Sequence, residues 1–314
     1  MVLGRLLQIG LGFLVVGPLL IFGVVCLVLF VLYERRSPDP MLPLGLFRRR
    51  NFAVGNLATL LVYAALSASA FFISLYLQQV LGYRPLAAGL ALVPVTVLMF
   101  GLSRRFGGLA DRFGPRFFMA VGPVVAGIGL LWFARLGHHA SWAGDILPGA
   151  IVFGLGLSMT VAPLTAAVLA GVDEHRAGIA SGVNNAVARV AGLLAIAGVG
   201  AVVAAQFGSS LDDHLRGVRL TARERGTVAT ARSRPLASAP AHLSAQGSDA
   251  LQAASVDGFR AGMIAAGALA ILGGLISAVG IENPRRREAN ECPGGALVGA
   301  SRRVGQPLTS PSRS

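Results

Sequence analysis

The stretch RRFGGLADRFGPR, Arg104–Arg116, packs five charges and three glycines into thirteen residues of an otherwise apolar chain. Three chemistries use such a stretch: a phosphate cradle, a basic nucleic-acid patch, or a charged turn at a membrane face. A phosphate loop needs G-x-x-x-x-G-K-[ST], and this chain has no Lys at all. A dinucleotide fingerprint needs a preceding strand, and none is expected here. Nucleic-acid binding calls for stacking aromatics among the basic residues, and no stretch interleaves them. The remaining reading is a tight turn between two membrane helices. Gly107, Gly108 and Gly114 would let the chain reverse, and the Asp111 carboxylate would sit near the start of the next helix, beside Arg112 and Arg116.

Other polar groups fall inside apolar stretches. Asn184, Asn185 and Arg189 lie near the inner start of one, and Asn185 and Arg189 share a helical face at i, i+4. An Arg in a membrane helix is costly unless paired. Arg189 therefore either joins a network with Asp111 or reaches toward headgroups. Gln78 and Gln79 lie near the outer end of another apolar stretch, where they line a substrate path or hydrogen-bond at the interface. Asn56 reads as structural. Two cysteines, Cys26 and Cys292, and five scattered histidines give neither a disulfide framework nor a metal site. No catalytic residue, metal or cofactor is expected.

The elements that carry these groups follow from composition. The 314 residues are 54% hydrophobic and 13% charged, with a mean hydropathy of +0.68. Soluble domains carry roughly 25% charged residues, so the fold class is an all-α membrane protein. The net charge of +13 is distributed in arginine clusters between apolar runs. Seven apolar segments run roughly 7–33, 53–80, 86–102, 117–134, 146–170, 178–205 and 258–281. The arginine-rich loops alternate: Arg35, Arg36 and Arg48–Arg50, then Arg104–Arg116, then Arg176, then Arg285–Arg287. That places those loops and the C-terminus in the cytoplasm. Trp132 and Trp142 suit an outer aromatic belt. Segment 206–257 reads as a long outer loop, with a short surface helix within 209–231 and a flexible part over 233–255. The tail from 284 reads as disordered. Gly178/Gly182, Gly258/Gly262 and the group Gly149, Gly154 and Gly156 are expected to admit close helix packing. Pro94 and Pro163 are expected to kink their helices.

Gly107-x-Leu109-Ala110-Asp111-Arg112-x-Gly114-x-Arg116 resembles the cytoplasmic loop motif of the major facilitator superfamily, with Pro115 replacing a basic residue. Glu34–Phe52, Tyr76–Pro94 and Ala180–Gly192 resemble that superfamily's fourteen-helix drug/proton antiporter branch. The resemblance implies a linker helix and cytoplasmic loop over 1–51 and a C-terminal six-helix bundle over 52–283. It implies a cytoplasmic gate centred on Asp111, with Arg189 and Asn185 as gate partners and Gln78, Gln79 and Asn184 on a substrate path. No Asp or Glu lies inside a span, whereas proton coupling normally needs one; the resemblance places the usual acidic carrier in an N-terminal half. The implied function is the C-terminal part of a proton-coupled multidrug exporter, incomplete alone, for amphipathic or cationic compounds. Its partners would be the plasma-membrane bilayer, a small-molecule substrate and an N-terminal transporter half, with no nucleic acid. The alternative is a non-transporting membrane interaction protein or split-transporter subunit. An intramembrane enzyme would need clustered carboxylates or histidines at membrane depth.

Overall fold

The computed structural model describes residues 2–37, 44–169, 174–218, 220–236 and 243–282; the tail over 284–314 lies outside the described residues. Every regular element among them is helical. The helices are α1 (Val2–Arg36), α2 (Arg50–Gln79), α3 (Pro85–Ala91), α4 (Val93–Phe113), α5 (Pro115–Phe133), α6 (Leu147–Leu169), α7 (Glu174–His214), α8 (Ala222–Ala231) and α9 (Ala245–Gly280). Seven spans are long and apolar enough to cross a membrane, with α3 and α4 together forming one of them. In hydrocarbon every backbone group must bond internally, which is why apolar runs of this length appear as helices.

The bundle is organised by α5, which packs against α6 on one side and α9 on the other. Small residues make both contacts close. A Cβ on Gly156 would lie 2.2 Å from the Ala126 nitrogen, and one on Gly129 would lie 2.5 Å from the Phe153 nitrogen. On the other side, a Cβ on Gly127 would lie 2.8 Å from the Gly267 carbonyl, and one on Gly274 would lie 2.6 Å from that of Ala120. Where lipid competes with apolar side chains on nearly equal terms, such backbone-to-backbone approach gives helix pairs their attraction. α2 and α7 complete the packing around α9, and α4 lies against α6. At the end opposite the arginine-rich face Tyr76 stacks on Phe259 with centroids 4.0 Å apart.

Several expectations change. The stretch Arg104–Phe113 is helix, not turn: α4 continues through it, and Gly114 alone separates α4 from α5. Only Gly114, at φ +90°, uses glycine's conformational freedom there; Gly107 and Gly108 are helical. Pro94 lies in the first turn of α4 and marks a break at Leu92 rather than a kink within one helix. The Trp142 indole N–H donates to the Ala91 carbonyl beside that break, at 3.3 Å.

The segment 206–257, expected as a loop, is mostly helical among its described residues as well. α7 has 41 residues, about 61 Å of helix, more than the ~40–45 Å of a whole bilayer. Its end packs with α8 and the start of α9 around Phe207, Leu211 and Leu251. Ser244 caps α9, so residues 245–255 are ordered helix rather than flexible chain. Among the described residues nothing lies within 4 Å of a Cβ at Gly178 or Gly182, whereas Gly258 and Gly262 meet Val203 closely. Gly149 and Gly156 face α5, but Gly154 faces Val95 of α4, so the three do not share one face.

Candidate functional site

Two polar assemblies stand out, one at the arginine-rich face and one between α2 and α7. At the arginine-rich face, α9 ends with carbonyls that its own helix cannot pair. Arg50, the first residue of α2, donates from Nε to the Gly280 carbonyl at 3.0 Å and from a terminal nitrogen to that of Val279 at 3.0 Å. Its other terminal nitrogen meets Glu282 Oε1 at 2.7 Å. Arg116, at the start of α5, donates from Nε to the Ala278 carbonyl at 2.9 Å. Asn51 closes the set reciprocally: its amide donates to the Glu282 carbonyl, and the Glu282 N–H donates back to its Oδ1, both at 2.9 Å. Cations at a helix C-terminus answer both the orphan carbonyls and the helix dipole. This clamp joins α2, α5 and α9. The sequence reading placed Arg50 only as a topology signal and did not single out Asn51 or Glu282. The available signal was a basic run ending at the first residue of a helix.

Of the motif residues, Arg116 belongs to the clamp. A Cβ on Gly107 would meet the Ala162 Cβ of α6 at 3.6 Å. Leu109 is exposed, as is Arg112. Asp111 lies in the last turn of α4, and its side chain is outside the described residues.

The second assembly lies between α2 and α7. Asn56 is buried and donates to the Phe52 carbonyl at 2.9 Å. Its Oδ1 has no partner among the described residues. One turn further, Thr59 donates to Asn184 Oδ1 at 2.7 Å, a polar cross-link in an apolar helix pair. Asn184 is half-buried by this contact, whereas Asn185 and Arg189 are exposed.

The depth of Arg189 corrects the sequence reading. It lies fifteen residues from the start of α7, about 22 Å along the helix, not near that start. Thr59 meets Asn184, and Ser67 lies against Gly192. Arg189 is therefore level with about Ala64, the midpoint of the thirty-residue α2. The close contacts across α9, α5 and α6 carry this level to about Leu102 of α4. Asp111 lies nine residues beyond, about 14 Å nearer the arginine-rich face. α4 and α7 do not pack extensively on each other. The bundle thus does not bring Arg189 to Asp111.

The polar residues at the opposite end of the bundle behave differently again. Gln78 is half-buried and donates to the Ser74 carbonyl and hydroxyl at 3.1 and 3.0 Å, within its own helix; Gln79 is exposed. Ser210 of α7 donates to Asp257 of α9 at 2.5 Å. Arg260 donates to the Ala134 carbonyl at 3.2 Å. Above them, Glu224 ties two helix starts together. Its Oε2 accepts from the Thr221 N–H and hydroxyl, and its Oε1 from the Ser244 N–H, all at 2.8 Å. These hydrogen bonds, those from Thr221 first, hold its carboxyl down to about 2. Among the described residues no group of three or more His, Cys, Asp or Glu could hold a metal ion.

Seven described helical spans of membrane length, with polar groups placed between them, are the architecture of a multi-pass membrane protein. The sequence profile of the Major Facilitator Superfamily matches residues 1–196, and the chain belongs to that superfamily. It is 32% identical over 187 residues to a multidrug resistance protein, Stp, of Mycobacterium tuberculosis; the match covers 60% of this chain and 34% of that protein. It is 33% identical over 191 residues to the multidrug efflux pump LfrA of Mycolicibacterium smegmatis, covering 60% of this chain and 38% of the pump. It is 32% identical over 222 residues to a puromycin resistance protein of Streptomyces alboniger, covering 70% of this chain and 44% of that protein. The chain thus spans between about a third and under half of the length of these relatives.

Proposed function

We propose that the chain forms the C-terminal bundle of a proton-coupled drug exporter in the plasma membrane, working by alternating access against a second bundle. The observation that carries this reading is Arg189, exposed at the level of the α2 midpoint, on a bundle whose superfamily relatives are named for multidrug efflux and drug resistance. Ionisable residues at membrane depth mark substrate or ion pathways by default, and in such transporters the site lies near the midplane between two bundles. The arginine-rich face is the cytoplasmic one on this reading, as the arginine bias requires. The role follows as transport rather than catalysis.

Arg116 and Arg50 hold one end of α9, so the cytoplasmic ends of α2, α5 and α9 move as one body. No carboxylate among the described residues lies at the level of Arg189, so the proton-carrying group is supplied by the second bundle. The chain alone is then expected to be inactive. The test is flux of ethidium and of a fluorescent amphipathic carboxylate in proteoliposomes holding this chain alone, against the same chain co-reconstituted with the N-terminal half of a relative. Proton-driven flux by the chain alone would overturn the two-bundle reading.

A further inference from the structure

Arg189 is the single charge between Arg176 and Asp212 of α7. It is exposed at the level of the α2 midpoint and forms no hydrogen bond or ion pair with any described residue. Asn185, one turn below on the same face, is exposed too. Asn184 beside it is engaged with Thr59, which fixes this part of α7 on α2. The neighbouring surface is apolar: Val190 is 50% exposed and Leu193 is 73% exposed.

A guanidinium with open donors, an amide one turn away and bare aliphatic side chains around them is a recognition surface for an amphipathic anion. The fork of a guanidinium matches a carboxylate through two parallel hydrogen bonds. An Arg at this depth carries a large desolvation cost unless an anion answers it or water reaches it. The same charge repels cations, which an apolar exporter face without Arg189 would accept equally well.

We propose that Arg189, with Asn185, binds the carboxylate of an amphipathic small molecule at mid-membrane depth, so that this chain favours amphipathic anions and zwitterions over cations. This rests on the transport reading, in which that face of α7 meets an aqueous path rather than lipid. The apolar part of the ligand lies along Val190 and Leu193.

The test uses the whole chain in phosphatidylcholine nanodiscs. Three matched probes are measured for binding in excess of empty discs: pyrenebutyrate, its neutral amide, and pyrenebutylamine. The expected order is carboxylate at least ten-fold tighter than amide, with the amine weakest. Arg189→Gln should remove the preference, Arg189→Lys should keep part of it, and Asn185→Ala should reduce it several-fold. Thermal melting checks that each variant remains folded. Equal binding of carboxylate and amide by the native chain would overturn the proposal, as would a preference that survives Arg189→Gln and so reflects the lipid or another arginine. Because no flux is measured, a preference found alongside failed export would retain this site and remove only the transport reading.

Discussion

Helix α5 and the middle of α7 contain similar residues, mostly Ala, Gly, Val and Leu, and have opposite fates. Half of the apolar window of α5 is buried inside the bundle, against 28% of that of α7. In α5 the small residues fall at 122, 126 and 129 toward α6 and at 120 and 127 toward α9, so each stripe finds another backbone. In α7, Gly178, Gly182 and Gly198 face open space. Glycine is thus a close contact along α5 and, at these three positions of α7, meets no described atom within 4 Å. The seams of α5 hold the bundle together, and the open face of α7 is the one proposed for binding.

The largest effect should come from closing a seam. In Gly156→Ala the new Cβ would sit 2.2 Å from the Ala126 nitrogen, a backbone atom that cannot swing aside. Overpacking of this kind should cost about 3 kcal/mol or more, read as a lowered melting temperature in detergent. Gly182→Ala on α7 is the control: nothing lies within 4 Å of its new Cβ, and the gain in helix propensity should stabilise by roughly 0.5 kcal/mol. If both substitutions destabilise alike, the contrast between the two helices fails.

Second in size is the clamp at the end of α9. Arg50→Ala removes two carbonyl contacts and the Glu282 pair. That pair is more than half exposed and adds little in water, so the loss should be about 1–2 kcal/mol, mostly from the orphaned carbonyls. Arg50→Lys should recover only part of it, because an ammonium cannot span Val279, Gly280 and Glu282 together. Hydrogen exchange at the end of α9 should rise in both variants, more in Arg50→Ala.

The smallest effect concerns α8, which is held by hydrogen bonds rather than by either kind of helix face. The folded carboxyl of Glu224 lies at about 2, below its ordinary 4.5. The stabilisation is therefore present above about pH 4.5 and is lost as the pH falls toward 2. Protection of residues 222–231 should decline over that window in the native chain and stay flat in Glu224→Gln, at its lower level. A decline centred near pH 6 would point to a different group.

Hydropathy made the seven spans and the arginine-rich face legible in the sequence, because each depends on a local run of residues. Local reading fails where a charged, glycine-containing run suggests a turn. Arg104–Phe113 is compatible with helix throughout, and only Gly114, with Pro115 after it, forces a break. It fails again at segment 206–257, where Thr221 with Glu224 and Ser244 with Gly247 are local helix starts that a composition rich in Ala, Ser and Pro obscures.

Membrane class, superfamily and helix order were thus decided by the chain's own residues, since apolar length and arginine placement act on each segment independently. The depth of Arg189, its separation from Asp111 and the joining of Arg50 and Arg116 at one helix end were decided only in the folded bundle. Each is a matter of register between helices far apart in sequence, and that register is set by which small residues let two backbones meet.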